Sequence, residues 1–434
     1  MLVFCTAVFG QKTDELLATA GNIKFTPDSL SPEIQKVWNG QKAILAEART
    51  QLLGQMIASS LLEAEAADQK TTADSLLDAV TKKVADPTPE QIKAVYDANQ
   101  AQLGGTSLET ATPQIVAYLR REPEEKAIAE YLESLKAKHK FAPGKDVNAP
   151  SLSPLETLYT VAGKPLSAQQ FETKNKAAIA DIKADIGDEI ADDLELVVFS
   201  ALIEAEADAK GVEPSAIIAS EITDKLKDYT DEERIELQNA LKQTLFAKYK
   251  PVFIFKAPQP EPMNISVDDD PAQGKPGAPV TVVMFSDFQC PACAGTHPIL
   301  KAVLGEYGDK VRLVVRDYPL EKMHDNAFLA AAAANAANAQ GKYFEYIDVL
   351  YRNQKQLDRA SLLRYAKELG LNVKQFEIDL TSEKTAAEIR KDAADGNAYG
   401  ITGTPTIYIN GVKVRRLTAD SFRKAIDRAL AAAK

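Results

Sequence analysis

The sequence predicts a mostly α-helical first half followed by an α/β domain with a helical insertion. From residue 14 to residue 256, apolar residues recur four apart, as in Leu53, Ile57 and Leu61, which is typical of helices with one buried face. Three prolines in the stretch KAPQPEPM (256–263) end this pattern, because proline cannot continue a helix. Beyond them, short β-branched runs alternate with helical patterns, which favours an α/β domain.

Size and charge limit the classes of function. The 434 residues suffice for roughly three domains, and no stretch approaches the ~20 apolar residues that a membrane span needs. We therefore expect a soluble protein. The net charge of −11 argues against nucleic-acid binding, because phosphate contacts need a basic surface.

The first ten residues, MLVFCTAVFG (1–10), are apolar and uncharged. We interpret them as the remnant of a signal peptide, with a small residue, Gly10, at its end; a late start codon or an incomplete segment explains the missing basic region. A cytosolic N-terminus is the alternative. If the remnant is removed, Cys290 and Cys293 are the remaining cysteines, a usage that suits a periplasmic or otherwise exported protein with one reactive pair.

The helical half contains an internal repeat. LLEAEAADQKTTADSLL, which begins at Leu61, aligns with LIEAEADAKGVEPSAII, which begins at Leu202, at an offset of 141 residues. We predict two related helical modules, residues 11–150 and 151–255, followed by a proline-rich linker at 256–263. Chance similarity between Ala/Glu-rich helices is the alternative. We assign the EAEA glutamates to solvated helix faces, because the sequence indicates no partner for them.

The order of a short strand, a glycine-containing turn, long helices and an EA-rich helix resembles the helical chaperone domains of SurA-like exported proteins. The resemblance covers most of residues 14–255 and is diffuse. It implies a surface that holds unfolded chains. Pairing of two subunits into a homodimer is the second role that we consider for these modules.

Residues 264–434 follow a different order of elements. Strand-like VTVVMF (280–285) leads into a cysteine segment with its helix, and VRLVV (311–315) forms a second strand. Ala-rich helices occupy about 324–398, and the strand pair TIYING and VKV and a final helix follow. This order, β-α-β, a helical insertion and β-β-α, is that of a thioredoxin fold.

The segment QCPAC contains the candidate reactive pair, Cys290 and Cys293. A cysteine at a helix start faces unpaired N–H groups and the positive end of the helix dipole, which favour the thiolate. Cys290 is therefore the predicted nucleophile, and Cys293, one turn later, the resolving thiol. Pro291 suits the first helical position, where its missing N–H has no partner.

A zinc site and a structural crosslink are less favoured roles for the cysteine pair. A zinc site needs four ligands, and the sequence offers no second cysteine pair and three histidines. A structural crosslink over so short a loop restricts the unfolded chain little. We therefore expect no metal and no cofactor beyond a redox-active Cys290–Cys293 disulfide.

The stretch GITGTPTIYING (400–411) places Thr404 and Pro405 immediately before a strand. Together with VTVVMFSDFQCPAC, VVRDYPL and the Ala-rich helices, it resembles the DsbA-like thioredoxin family over about 265–430. The resemblance implies that Cys290 is the nucleophile and that Pro405 is a cis-proline packed against the disulfide. It also implies that Thr404 and Gly403 offer backbone groups to a substrate strand.

The chain departs from that family at two places. Relatives commonly carry a buried glutamate six residues before the first cysteine, where this chain has Met284, so we expect the resolving thiol's proton to use Asp287 or water. The dipeptide Pro291–Ala292 lacks a histidine, which predicts a milder oxidant. His297 could tune the pair, although a packing role is favoured, and we expect Asp317 to fix a turn.

These observations favour an exported thiol:disulfide oxidoreductase that acts on unfolded or secreted proteins. A membrane thiol oxidase or reductase would be its redox partner. The alternatives are a holdase chaperone whose thioredoxin-like domain is mainly a binding platform, and a reductase or isomerase rather than an oxidase. The sequence does not distinguish the direction of exchange, because the same motif serves both.

Overall fold

The computed structural model describes residues 15–100, 107–260 and 262–433. The predicted signal-peptide remnant at 1–10 lies outside the described residues. The chain divides into two compact units, one that ends at Gln259 and one that begins at Pro260. The predicted module boundaries at residues 150 and 255 stay predictions. Within the described ranges, no helix is long and apolar enough to cross a lipid bilayer.

The first unit is built of long helices and two small sheets. Its helices are α1 (Pro32–Gln69), α2 (Ala73–Thr81), α3 (Pro89–Ala98), α4 (Leu108–Lys138), α5 (Ala168–Lys210), α6 (Pro214–Glu221) and α7 (Asp231–Tyr249). Its strands are β1 (Ala18–Ala20), β2 (Ile23–Phe25), β3 (Ala142–Pro143), β4 (Thr157–Val161), β5 (Lys164–Ser167) and β6 (Val252–Phe253).

The two sequence repeats have the same local structure. In each, an antiparallel hairpin precedes a long helix: β1–β2 and α1 in the first copy, β4–β5 and α5 in the second. The copies also share strands. The strand β6, at the end of the second copy, pairs with β1 of the first, and β3, at the end of the first copy, pairs with β4 of the second. Each small sheet therefore takes strands from both copies.

The EAEA glutamates differ from the prediction. The first of each motif, Glu63 or Glu204, is exposed, but the second is buried, with Glu65 3% and Glu206 7% exposed. Glu65 lies 2.6 Å from His139 and also pairs with Lys138. The assignment of these motifs to solvated faces was therefore wrong for one glutamate in each copy, because the end of a later helix supplies a partner.

Glu206 occupies the equivalent position in the second copy and binds Lys248 and the hydroxyl of Tyr249. Hydrogen bonds from Lys138 and from Lys248, respectively, lower the pKa of Glu65 and of Glu206 to about 2. The same arrangement, a buried carboxylate bound by residues at the end of a later helix, thus occurs in both copies.

We expect Glu206→Gln to destabilise the first unit by about 1–3 kcal/mol, because Lys248 loses its charged partner and a buried acceptor is weakened. The exposed Glu204→Gln, two residues earlier, is the matched control and should cost no more than about 0.5 kcal/mol. Urea unfolding measures both. Since the folded pKa is depressed, the stabilisation by Glu206 is complete above the ordinary value of 4.5 and is lost as the pH falls towards about 2. Equal unfolding midpoints for the two variants at pH 7 would contradict this assignment.

The second unit contains a five-stranded sheet in the order β11-β10-β8-β9-β7. Its strands are β7 (Ala272–Gly274), β8 (Val280–Ser286), β9 (Val311–Asp317), β10 (Thr406–Ile409) and β11 (Val412–Val414). Its helices are α8 (Pro291–Tyr307), α9 (Ala327–Asn338), α10 (Tyr343–Arg352), α11 (Arg359–Glu368), α12 (Val373–Leu380), α13 (Glu383–Ala398) and α14 (Ala419–Ala432).

Strands β8 and β9 are parallel and joined by α8, whereas the other pairs are antiparallel. Helices α9 to α13 form the predicted insertion between β9 and β10. The predicted fold class is confirmed: a thioredoxin fold with a helical insertion follows a largely helical half. The apolar residues Val282 and Met284 of β8 are fully buried in the core that also contains Cys293, so the strand holds the start of α8 firmly.

Candidate active site

Cys290 lies at the junction of the sheet and α8, as the N-cap residue of that helix. Both Cys290 and Cys293 are free thiols. The Cys293 thiol donates a hydrogen bond to the Cys290 sulfur. Together with the nearby Thr404 side chain and the N–H groups of Cys293 and Ala292, this hydrogen bond outweighs burial and lowers the pKa of Cys290 to about 5. Cys290 is therefore a thiolate at neutral pH, the form that attacks disulfides.

Cys293 has the opposite environment. Its side chain is 0% exposed, and burial raises the pKa of its thiol, which the neighbouring Cys290 raises further. The hydroxyl of Ser286 and the N–H of Asp287 face its sulfur. One thiol of the pair is thus acidic and the other is held protonated, the difference expected of a nucleophile and a resolving thiol.

A second segment lies against Cys290. The Cys290 sulfur is 3.4 Å from the carbonyl oxygen of Thr404, to which the protonated form of the thiol donates. The Thr404–Pro405 bond is cis. The Thr406 hydroxyl, 2.8 Å away, donates to the carbonyl of Gly403, and residues 403–405 are half-buried. The predicted substrate-binding positions thus lie beside the predicted nucleophile.

Asp287 is buried, 1% exposed, just before the cysteine segment. Its carboxylate accepts hydrogen bonds from the backbone of Gln289 at 2.8 Å and of Leu320 at 3.0 Å, and lies 2.7 Å from Nδ1 of His324. These donors belong to the surrounding loops, so this carboxylate fixes the loop conformation. The side-chain contacts of Asp287 thus fix the loops and are not directed at the sulfur of Cys293.

The remaining predicted tuning residues occupy different surroundings. Pro291 and Ala292 are exposed between the two cysteines, with Pro291 as the first residue of α8. His297 is 4% exposed; its Nε2 lies 3.0 Å from Asp348, and its ring lies 4.8 Å from that of Tyr351. Burial lowers the pKa of His297. These contacts are those of a packed, neutral histidine.

Sequence reasoning missed a charged cluster behind the site. Arg316 on β9 is completely buried; it donates to Asp392 and to Asp395 and lies 3.1 Å from Asp270. The motif RDYPL gave a signal, because an Arg-Asp pair at the end of a buried strand must be compensated. Two of its partners, Asp392 and Asp395, lie 76 and 79 residues later in the chain, so the sequence did not show them.

Two groups of described side chains bring three ligand-type atoms within 4.8 Å of one another, Glu65–Asp68–His139 and Asp270–Glu388–Asp392. Neither group includes a cysteine. Lys138 pairs with the first and Arg316 with the second, so a cation already compensates each. We assign neither as a metal site.

The acidity of Cys290 can be measured directly. The rate of its alkylation in the reduced protein, followed at this residue by mass spectrometry, should have its midpoint near pH 5 rather than near the ordinary 9.0. Replacing Thr404 with Val, which removes the hydroxyl near the Cys290 sulfur, should move the midpoint upward while the fold is kept. A midpoint close to 9 in the unmodified protein would refute the stabilised thiolate.

Comparison with known proteins supports the domain assignment. Residues 266–428 match the family model described as thioredoxin, which confirms the predicted C-terminal domain. Among solved structures, a thioredoxin-like oxidoreductase from Silicibacter pomeroyi DSS-3 is 30% identical, with a TM-score of 0.35 over 38% of this chain and 94% of that one. BdbD from Bacillus subtilis is 23% identical, with a TM-score of 0.36 over 40% of this chain and 97% of its own.

One curated relative is named as an antiporter and not as a thioredoxin. A protein of Mycolicibacterium gilvum (strain PYR-GCK) named Na(+)/H(+) antiporter NhaA 1 is 34% identical over 164 residues, 36% of this chain and 27% of that protein. The chain thus spans about a quarter of the length of this relative. The resemblance of the helical half to SurA-like chaperone domains stays a prediction.

Proposed function

We propose that this chain is an exported thiol:disulfide oxidoreductase that exchanges disulfides with unfolded or secreted proteins through Cys290 and Cys293. The observation that carries the proposal is the opposite shift of the pKa values of the two cysteines. Cys290 is acidic at a helix start, and Cys293 is buried and protonated one turn later. A pair that only crosslinked the chain would not need two thiols with opposite acidities.

The geometry supports the following sequence of steps in the oxidising direction. A client thiolate attacks the Cys290 sulfur, the Cys290–Cys293 bond breaks, and its electron pair leaves on Cys293, which takes up a proton. The client then carries a mixed disulfide with Cys290. A second client thiolate attacks the client sulfur of that bond, and Cys290 leaves as a thiolate. Its low pKa makes Cys290 a good leaving group, which favours oxidation of the client.

We propose that the segment 403–405 holds the client during these steps. Its backbone is half-buried next to the Cys290 sulfur, and an extended peptide can add to such a segment by main-chain hydrogen bonds. We propose that Thr404 and Gly403 supply these groups. Sequence preference would then be weak, as exchange with many different unfolded clients requires.

The helical half supports a second candidate function, that of a holdase chaperone. Its first unit contains a cavity of about 620 Å³ whose lining includes the apolar residues Leu45, Val147, Leu152 and Pro154. In the proposed oxidoreductase this unit binds clients, which raises the concentration of client thiols near the reactive pair. A dimer built through this unit, kept reduced by a membrane partner, would act as a reductase or isomerase instead.

One experiment separates the two candidates. A variant with both Cys290 and Cys293 replaced by serine is compared with the unmodified protein in two assays, oxidation of a dithiol peptide and suppression of the aggregation of an unfolded client. We expect the variant to lose the first activity completely. If the unmodified protein itself lacks peptide exchange, while both proteins suppress aggregation equally, the holdase is the correct function.

A further inference from the structure

Helix α10 of the insertion and the turn after it carry three polar side chains that contact the surroundings of the reactive pair. Asp348 and Tyr351 are three residues apart, so they share one face of α10. Gln354 follows three residues later, in the turn that ends the helix. Each of the three side chains contacts a different element of the site.

The first two contacts fix the elements on either side of the cysteine segment. The carboxylate of Asp348 lies 3.0 Å from Nε2 of His297 and also pairs with Lys301, and both of these residues belong to α8. The hydroxyl of Tyr351 lies 2.6 Å from the hydroxyl of Ser286 at the end of β8. Helix α10 is therefore packed against the strand that precedes the cysteines and against the helix that contains them.

The third contact is with the main chain of the nucleophile itself. Nε2 of Gln354 donates to the carbonyl oxygen of Phe288 at 3.0 Å and to the carbonyl oxygen of Cys290 at 2.8 Å. One amide group thus uses both of its N–H donors on two carbonyls of the same loop. Gln354 is half-buried, so water competes less for these hydrogen bonds than it would at an exposed site.

The main chain of Cys290 is also bound within its own segment. Its N–H donates to the carbonyl of Asp287 at 3.1 Å, and its carbonyl accepts from the N–H of Ala294 at 3.2 Å. Pro291, the next residue, has no N–H to add to these bonds. The hydrogen bond from Gln354 joins this local network to the helical insertion.

The acidity of Cys290 depends on the orientation of this turn. The thiolate is stabilised by the thiol of Cys293 and by the N–H groups of Cys293 and Ala292 at the start of α8. Hydrogen bonds weaken steeply when the donor no longer points at the acceptor. A rotation of the Cys290 main chain would move the sulfur away from these donors, so a stable thiolate requires a fixed turn.

We propose that Gln354 is a positioning residue for the nucleophile. Its amide binds the carbonyls of Phe288 and Cys290 and thereby holds the Cys290 sulfur against the N–H groups at the start of α8. This inference rests on the proposed function and deepens it, because it makes the oxidising strength of the pair depend on the insertion as well as on the dipeptide between the cysteines. Gln354 is uncharged at every pH, so it stabilises the thiolate without adding a titration of its own.

The test is the variant Gln354→Met in the full chain, which keeps the length of the side chain and removes both donors. The alkylation midpoint of Cys290, followed by mass spectrometry, should rise above that of the unmodified protein by about 0.5–1 pH unit. A less stable thiolate makes the reduced protein less stable. The equilibrium with glutathione should therefore shift towards the intramolecular disulfide by about 3- to 10-fold.

Two matched variants separate positioning from general damage. Gln354→Lys keeps N–H donors on a side chain of similar reach and adds a positive charge, so its alkylation midpoint should stay at or below that of the unmodified protein. Gln356→Met removes an amide that is exposed and accepts a hydrogen bond from Arg364, so both the midpoint and the glutathione equilibrium should stay unchanged. Urea unfolding of every variant measures any loss of stability.

Gln354→Met with the unmodified midpoint and glutathione equilibrium overturns this inference, whatever its unfolding free energy, and leaves the oxidoreductase intact. A midpoint in Gln354→Lys as high as in Gln354→Met also overturns it, because the donors would then not matter. If Gln354→Met does not fold, Gln354→Asn decides: its amide is one methylene shorter and should show part of the same shift, and unchanged values refute the role. Absence of peptide exchange in the unmodified protein overturns the proposed function itself.

Discussion

Replacing Cys290 with serine should reduce the turnover of a dithiol peptide to the uncatalysed rate, while the fold is kept. The serine hydroxyl cannot form a disulfide, and the other thiol of the pair, Cys293, is buried and has a raised pKa. Peptide oxidation measured by mass spectrometry gives the turnover, and circular dichroism checks the fold.

Two variants next to Cys290 control this result. Ala292→Ser adds a hydroxyl at an exposed position between the cysteines, so we expect it to keep most of the activity. When the disulfide form of the peptide is supplied, the Cys290 thiolate of Cys293→Ser should attack it and accumulate as the mixed disulfide, because no resolving thiol of the protein can release the peptide. Full turnover in the Cys290→Ser protein would refute the assignment of the nucleophile.

Replacing Arg316 with methionine should lower the unfolding free energy of the second unit by about 3–5 kcal/mol, the usual cost of removing one partner of a buried ion pair. Arg316 is completely buried and pairs with Asp270, Asp392 and Asp395, so its loss leaves carboxylates without compensation. The destabilisation should be smaller in acid, because protonation neutralises these carboxylates. Urea unfolding followed by near-ultraviolet circular dichroism measures it.

Arg390→Met is the matched control for this prediction. Its ion pair with Glu383 is exposed, with 62% and 83% of the two side chains accessible, so its loss should change the unfolding free energy by no more than about 0.5 kcal/mol. Equal effects of the two substitutions would show that the Arg316 cluster does not hold the unit together.

The position of the cysteine pair at a helix start and the fold that carries it were predictable, because their signals are local. A β-branched run, two cysteines three positions apart and the following helix lie within 280–307, and each step follows from neighbouring residues. The start of β10 after Pro405 is equally local. Elements that are specified by such short-range patterns depend little on contacts with distant parts of the chain.

The buried charges were not predictable in the same way. Glu65 meets His139 at a separation of 74 residues and Arg316 meets Asp392 at 76, and no local pattern distinguishes these residues from exposed ones. The repeat offered one unused signal. KHKF at 138–141 and KYKP at 248–251 both lie at the end of the last long helix of a copy, and each supplies the cation for a buried glutamate.

The contacts of Asp317, which we expected to fix a turn, also depend on residues that are distant in the sequence. Its position at the end of β9 is visible in RDYPL, but its neighbour across the sheet, Ser286, is set by the register of two strands that are separated by a helix. The exchange of β3 and β6 between the two repeats also depends on pairing over long distances. Short strands with weak patterns do not specify such partners.

The most direct test of the account is an equilibrium titration of the protein in glutathione buffers of increasing oxidising strength, quenched with an alkylating reagent and analysed by mass spectrometry. We expect one cooperative two-electron transition in which Cys290 and Cys293 lose both thiols together and form an intramolecular disulfide. If Cys290 instead acquires glutathione while Cys293 stays a free thiol at every buffer composition, the two sulfurs do not form a redox couple, and the proposed activity is wrong.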